Sequence, residues 1–106
     1  MMLKTVYRNS KKISEIPYVN GLKQGIEKHF TDNGSLAIEI HWEMDKKHGS
    51  HRIYNETDTE IKWYYKGKNV SLKKYEEFSQ REKIAANKEQ FYKMVEETED
   101  EIALRD

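Results

Sequence analysis

Four histidines and the acidic residues near them are the side chains of this sequence best suited to chemistry. His29 and His41 flank an Asn-Gly pair, and His48 and His51 lie three positions apart across another turn. A metal site needs three or four converging ligands with an ordered second shell, and two separate pairs do not indicate one. We therefore expect no metal and no cofactor. His29 and His41 are placed to face each other across two strands on the polar side of a sheet.

Acid–base catalysis has one candidate surface. Glu39 and His41 share a face of one predicted strand, and Lys62 lies on the polar face of another, because alternate strand residues point the same way. Such charged alternation is normal on the wet side of a sheet. The sequence has no cysteine and no Gly-x-Ser-x-Gly turn that would supply a nucleophile. We predict that the protein is not an enzyme; a small enzyme using the Glu39 and His41 face is the weakest of three hypotheses.

The composition predicts a thin core. The chain has 106 residues, no net charge, 36% charged residues and 11% aromatic residues. Its mean hydropathy is −1.04. Ordinary domains have about 25% charged residues, so a single-layer sheet carrying Tyr and Trp fits better than a thick two-layer core. The length predicts one domain spanning 1–106. Without cysteines or a long apolar run, the chain is expected to be cytoplasmic, with no membrane contact.

Hydrophobic alternation predicts strands over most of residues 1–70. We predict six strands, at residues 3–8, 13–19, 25–30, 36–42, 51–54 and 59–65. The pairs Asn20-Gly21 and Asn33-Gly34 predict type I′ turns, which need positive φ at both central residues. Broader turns are predicted at 44–49 and 66–69.

From Ser71 the apolar period changes to about 3.6, which predicts a helical segment of one or two helices over 71–106. The fold class is therefore α+β: an antiparallel β-meander of five or six strands, followed by a C-terminal helical cap. This cap ends in an acidic tail formed by Glu96, Glu97, Glu99, Asp100 and Glu101.

The strands also follow a repeat. Tyr18, Trp42 and Tyr64 lie 24 and 22 residues apart, and each precedes a turn followed by Lys. An offset of 24 also aligns Lys23 with Lys47, Gly25 with Gly49, Lys28 with Arg52 and Phe30 with Tyr54. A period of this length fits one β-hairpin per unit.

These units resemble the MORN-like hairpin repeats of bacterial antitoxin-type and phage proteins. Such repeats run aromatic-x-Asn-Gly-Lys-x-x-Gly, then a Tyr strand and an Asp-Gly-type turn. The matching segments here are Tyr18 to Gly25 with Phe30, Asn33 and Gly34; Lys46 to Gly49 with Tyr54; and Trp63 to Ser71 followed by Lys74 to Phe78. The sequence departs from the pattern at Asp45 and at Thr57-Asp58, where glycine-containing turns are expected. The resemblance implies a curved antiparallel meander that serves as an interaction surface and has no shared catalytic residues.

We therefore predict a small non-enzymatic protein-binding module, such as an inhibitor, an antitoxin-like neutraliser or an adaptor, and a phage origin would suit it. Glu39, His41, Lys62 and Tyr64 are expected to contact the partner on the sheet face that the helix leaves open. The alternative is a nucleic-acid-binding accessory protein, because lysines and aromatic residues recur through the repeat. The zero net charge opposes this alternative.

Overall fold

A computed structural model describes residues 1–105, with the side chains of residues 1–90 and 93. The chain forms two compact units, Met1–Tyr75 and a second that begins at Glu76. The elements are β1 (Met2–Arg8), β2 (Lys11–Val19), β3 (Leu22–Lys23), β4 (Gly25–Phe30), β5 (Leu36–Glu43), β6 (Lys46–Tyr54), β7 (Thr59–Tyr65), β8 (Lys68–Val70) and α1 (Leu72–Arg105). The predicted α+β class is thus confirmed.

The strands form one antiparallel sheet in the order β1-β2-β4-β5-β6-β7-β8, with β3 paired to β2. Apart from the two-residue β3, strands that are neighbours in the sheet are neighbours in sequence, so the predicted meander is confirmed. There are eight strands instead of five or six, because Leu22–Lys23 and Lys68–Val70 also pair after their turns.

Four chain reversals have two consecutive residues with positive φ, as type I′ turns require. They are Asn9-Ser10 (51° and 64°), Asn20-Gly21 (52° and 80°), Met44-Asp45 (48° and 69°) and Lys66-Gly67 (48° and 90°). The prediction at Asn20-Gly21 is confirmed. The broad turn predicted at 44–49 was wrong, since two residues complete the reversal and β6 starts at Lys46.

The second predicted type I′ turn, at Asn33-Gly34, was also wrong. Gly34 has φ of 85°, but Asn33 is not among the residues with positive φ. The amide of Gly34 donates to the Thr31 carbonyl (3.0 Å), and the Thr31 amide donates to the Ser35 carbonyl (2.8 Å). These two bonds close a longer loop, in which only the glycine needs the left-handed conformation.

The 24-residue repeat is present in the strand register. Each aromatic residue that opens a unit pairs with the residue five positions later: Tyr18 with Lys23, Trp42 with Lys47 and Tyr64 with Asn69. Two further pairs of the first unit recur in the second: Ser14–His29 as Ile38–Ile53, and Glu15–Lys28 as Glu39–Arg52. The first two units are therefore structural repeats.

Gly25 and Gly49 are equivalent positions where glycine is required. Their φ values are 112° and 103°, which side-chain-bearing residues rarely adopt. A Cβ on Gly25 would lie 3.3 Å from Pro17 Cγ, and a Cβ on Gly49 would lie 3.5 Å from His41 Cβ. Pro17 and His41 are themselves 24 positions apart, so both units have the same close approach.

The turn of each later unit is hydrogen-bonded to the unit before it. The first turn residue donates its amide to a side chain, and the second donates to a lysine carbonyl. These bonds run from Met44 to Gln24 Oε1 (2.8 Å), from Asp45 to Lys23 O (2.9 Å), from Lys66 to His48 Nδ1 (3.1 Å) and from Gly67 to Lys47 O (2.8 Å). The turns at Met44-Asp45 and Lys66-Gly67 are thus each anchored on the residues that follow the preceding turn.

Helix α1 is continuous from Leu72 to Arg105, so the predicted segment is one helix. Ser71 is its N-cap, because Ser71 Oγ accepts the Lys74 amide at 3.2 Å. In the first turn, the Tyr75 ring contacts Trp63, with the ring centroids 5.0 Å apart. The side chains of the predicted acidic tail at residues 96–101 lie outside the described residues.

The core of the sheet is thin. Among the described side chains, the buried apolar ones are Ile40, at 9% exposure, and Pro17. Ser14, Glu27 and Ser50 are buried as well. Because polar residues occupy central positions, their hydrogen bonds must replace the water that they lose.

Candidate functional site

The strand register defines two faces of the sheet. One row across β4, β5, β6 and β7 consists of Glu27, Ile40, His51 and Lys62 and marks the Ile40 face. The adjacent row consists of Lys28, Glu39, Arg52 and Ile61 and marks the Glu39 face. Residues paired across antiparallel strands lie side by side on one face, and sequence neighbours point to opposite faces.

The four predicted contact residues are divided between these faces. Lys62 and Tyr64 lie on the Ile40 face, because they pair with His51 and Gly49. Glu39 and His41 lie on the Glu39 face, one position out of phase with Ile40. They therefore do not form a single surface with Lys62 and Tyr64. Alternation within each strand was predicted correctly, but the register between strands decides which residues become neighbours.

Glu39 is engaged by a cross-strand partner on its own face. Tyr54 donates its hydroxyl hydrogen bond to Glu39 Oε1. This hydrogen bond to the carboxylate, followed by desolvation, raises the pKa of the Tyr54 hydroxyl. Lys62, which the sequence pattern placed on a polar face with Glu39 and His41 as an acid–base candidate, is on the other side of the sheet.

The histidines do not converge. His29 pairs with Ile38 and His41 pairs with Ile26, so the two rings lie on opposite faces, contrary to the expected cross-strand pair. No group of three or more metal-ligating side chains lies together in the part of the chain whose side chains are described.

The first repeat unit contains a buried polar network centred on Glu27, which is 6% exposed. Glu27 Oε1 accepts hydrogen bonds from Lys23 Nζ at 3.0 Å and from Trp42 Nε1 at 3.1 Å. Glu27 Oε2 lies 2.6 Å from His29 Nε2. The Lys23 ammonium also stacks on the Trp42 ring, 4.5 Å from its centroid. Strands β3, β4 and β5 each supply part of this network.

The Glu27 carboxylate stays ionised in this setting. Burial, the largest single influence, raises its pKa. Hydrogen bonds and charge from His29 and Lys23 together outweigh burial and lower the pKa below its ordinary value. His29 also links this carboxylate to Ser14, because its Nδ1 forms a hydrogen bond with Ser14 Oγ at 2.9 Å.

The order Ser14–His29–Glu27 resembles the hydrogen-bonded series of a hydrolase triad. Ser14 is 8% exposed, however, and lies in the middle of β2 between β1 and β4. A nucleophile must reach a substrate carbonyl, and this hydroxyl is covered. We interpret the series as a means of satisfying buried polar groups within the sheet.

The second repeat unit has a related but incomplete arrangement, the second-unit cluster of Lys47, His51, Lys62 and Tyr64. Lys47 Nζ lies 5.0 Å from the Tyr64 ring centroid, as Lys23 lies over Trp42 in the first unit. His51 follows Glu27 by 24 residues, and its ring centroid lies 6.1 Å from that of Tyr64. His51 Nδ1 is buried and has no hydrogen-bond partner.

Charges around His51 favour its neutral form. Burial lowers the pKa of His51, and Lys47 and Lys62 lower it further, against weaker opposition from Glu27 and Glu60. The cluster is therefore an electropositive position without a carboxylate of its own. Lys62 and Tyr64 were predicted as contact residues, whereas His51 and Lys47 were not. The 24-residue offset that aligns Lys23 with Lys47 also aligns Glu27 with His51.

Comparisons with family models, with curated proteins and with solved structures find no match to this chain. The resemblance to MORN-like repeats therefore stays a prediction. No described helix has an apolar stretch of the length needed to cross a membrane.

Proposed function

We propose that this protein is a non-enzymatic protein-binding module, such as an inhibitor, an antitoxin-like neutraliser or an adaptor. The second-unit cluster on the Ile40 face is its contact surface. The supporting observation is the positive charge gathered beside an aromatic ring: Lys47 and Lys62 both act on His51, and the Tyr64 ring lies 5.0 Å from Lys47 Nζ and 6.1 Å from the His51 ring. Lys62 is exposed and Lys47 and Tyr64 are partly exposed, so a partner protein can reach the positive charge of this cluster.

A protein partner fits this surface better than nucleic acid. Proteins that bind single-stranded nucleic acid do so by stacking its bases on exposed aromatic rings. The Tyr64 ring already has the Lys47 ammonium over it, 5.0 Å from its centroid, and His51 beside it. With zero net charge, the chain also lacks the overall basicity that attracts phosphate backbones.

Affinity capture from host lysate, followed by mass spectrometry, tests the proposal. The variant Lys62→Ala/Tyr64→Ala should lose a protein that the wild type captures. The matched variant Glu39→Ala/His41→Ala removes the predicted contacts of the opposite face and should retain it. Circular dichroism checks that both variants fold.

Two results would overturn this proposal. Capture that disappears only with Glu39→Ala/His41→Ala would move the contact to the Glu39 face. Recovery of nucleic acid alone, with steep loss as salt rises, would establish the alternative function.

A further inference from the structure

The two repeat units differ at one chemically important position, and that difference identifies a ligand class. We infer that the second-unit cluster binds a carboxylate side chain from an acidic segment of the partner protein. The carboxylate balances the positive charge of the second unit, as Glu27 balances that of the first. This inference rests on the proposed protein-binding function and specifies what the partner must carry.

The Glu27 network of the first unit and the second-unit cluster are equivalent sites. In the first unit, Lys23 and Trp42 both donate to the Glu27 carboxylate, at 3.0 Å and 3.1 Å. The second unit retains a lysine over an aromatic ring at nearly the same distance, 5.0 Å against 4.5 Å. It has His51 where the first unit has Glu27. The cationic and aromatic parts of a carboxylate site are thus present without the carboxylate.

The charge of the second-unit cluster is complementary to that of a carboxylate. Lys47 and Lys62 both act on His51, and the acids that face it are Glu27 and Glu60. Glu27 is already committed to Lys23 and His29, and Glu60 lies 3.9 Å from Lys62 in an exposed pair of small electrostatic value. The cluster therefore has an excess of positive charge, which a ligand carboxylate would balance.

Binding of a carboxylate also changes the protonation of His51. Tyr64 on β7 and Ile40 on β5 also lie beside His51, and the charged groups that act on it are Lys47, Lys62, Glu27 and Glu60. A carboxylate placed between Lys47 and Lys62 offsets their repulsion of a positive imidazole, so His51 takes up a proton from solvent on binding. The positive imidazolium then adds to the attraction that Lys47 and Lys62 exert on the carboxylate. Binding should therefore strengthen as pH falls from about 7.5 to about 6.

A hexaglutamate peptide, titrated into the full-length protein, is a direct probe. Long-range proton–nitrogen NMR should show the His51 ring nitrogens shifting and the pKa of His51 rising, whereas a hexaglutamine peptide should cause neither change. His51→Glu places a carboxylate on the protein's own chain, as in the first unit. It should weaken peptide binding at least about tenfold, the equivalent of 1.4 kcal/mol, while the protein remains folded.

Lys68→Ala is the matched control, because Lys68 is exposed and pairs with Tyr65, away from the cluster. It removes one positive charge and should change the affinity less than about twofold. Equal binding by wild type and His51→Glu would overturn the inference. If hexaglutamate fails to bind while lysate capture still depends on Lys62 and Tyr64, the inference fails and the proposed function stands.

The chain's own acidic residues are the competing occupant. A His51 shift that grows with protein concentration in the absence of peptide would indicate a second copy of this chain in the site. If that shift disappears when the acids at 96–101 are replaced by their amides, the partner is this chain, and the assignment to a different protein is overturned.

Discussion

Glu27 is the residue on which the first repeat unit depends most. A buried carboxylate stabilises a fold only if its hydrogen bonds and ion pairs outweigh the cost of removing it from water. Glu27 meets this condition through a lysine, an indole and an imidazole, drawn from residues on three strands. The carboxylate in turn fixes the orientation of the Lys23 and Trp42 side chains.

Replacing Glu27 by the nearly isosteric glutamine tests this dependence. Glu27→Gln removes the charge that pairs with Lys23 and turns one acceptor oxygen into a donor. The free energy of unfolding, measured with urea, should fall by about 1–3 kcal/mol. Glu60→Gln is the control, since its exposed pair with Lys62 spans 3.9 Å, and it should cost less than about 0.5 kcal/mol. Equal costs would mean that the network contributes no more than a surface pair.

The lowered pKa of His51 makes stability depend on pH. The unfolded chain binds a proton near the ordinary pKa of 6.5, whereas the folded chain binds it only at lower pH. The free energy of unfolding should therefore be highest above pH 6.5 and should decrease as pH falls from 6.5 toward the lowered folded-state value.

His51→Gln should remove this part of the pH dependence, and His41→Gln should leave it in place. The measurement is urea unfolding of both variants and the wild type across this pH range. A wild-type slope that survives His51→Gln would assign the proton uptake to another group.

At the scale of elements, the hairpin turns show where the sequence is not optimal. Met44 and Asp45 adopt φ of 48° and 69° without a glycine. Asp45 is compensated, because its Oδ1 accepts the Lys23 amide at 2.8 Å. Met44 is 67% exposed, and the left-handed conformation is costly for a side chain of its kind. Asn20 holds the equivalent position in the first unit with a residue that tolerates this conformation.

Exchanging the two residues should therefore shift stability in opposite directions. Met44→Asn should raise the free energy of unfolding by about 0.5–1 kcal/mol, and Asn20→Met should lower it by a similar amount. Thermal or urea unfolding of both single variants is sufficient. If both changes lower the free energy of unfolding, the Met44 side chain must make a contact whose loss costs more than is gained by placing asparagine in the left-handed conformation.

Local patterns account for what the sequence predicted correctly. Leu36–Glu43 alternates strictly, and the segment from Ser71 begins with a capping serine and contains no glycine or proline, so these elements follow from neighbouring residues alone. The Met44-Asp45 turn lacks glycine, and its type was therefore missed. The separation of Glu39 from Lys62 depends on the pairing of β5 with β6 and of β6 with β7, which no single strand determines. The Glu27 network was missed for the same reason.

At the scale of the whole molecule, a mean hydropathy of −1.04 is matched by a sheet with little aliphatic core. Ile40 lies at its centre, between Glu27 on β4 and His51 on β6. This buried aliphatic side chain thus separates the closed network of the first unit from the open cluster of the second. Its burial helps to keep water from the Glu27 hydrogen bonds, which are stronger in a less polar environment.

Ile40→Ala tests how much of the stability is concentrated at this point. The substitution removes buried methylene groups and leaves a cavity, so it should cost about 2–5 kcal/mol. Ile61→Ala removes the same atoms from a side chain that is 44% exposed, and it should cost less than about 1 kcal/mol. Urea unfolding measures both values. Because Ile40 borders Glu27, Ile40→Ala and Glu27→Gln should be non-additive in the double variant, whereas Ile61→Ala and Glu27→Gln should add. If the costs of Ile40→Ala and Glu27→Gln add, the aliphatic contact and the polar network stabilise the sheet independently of each other.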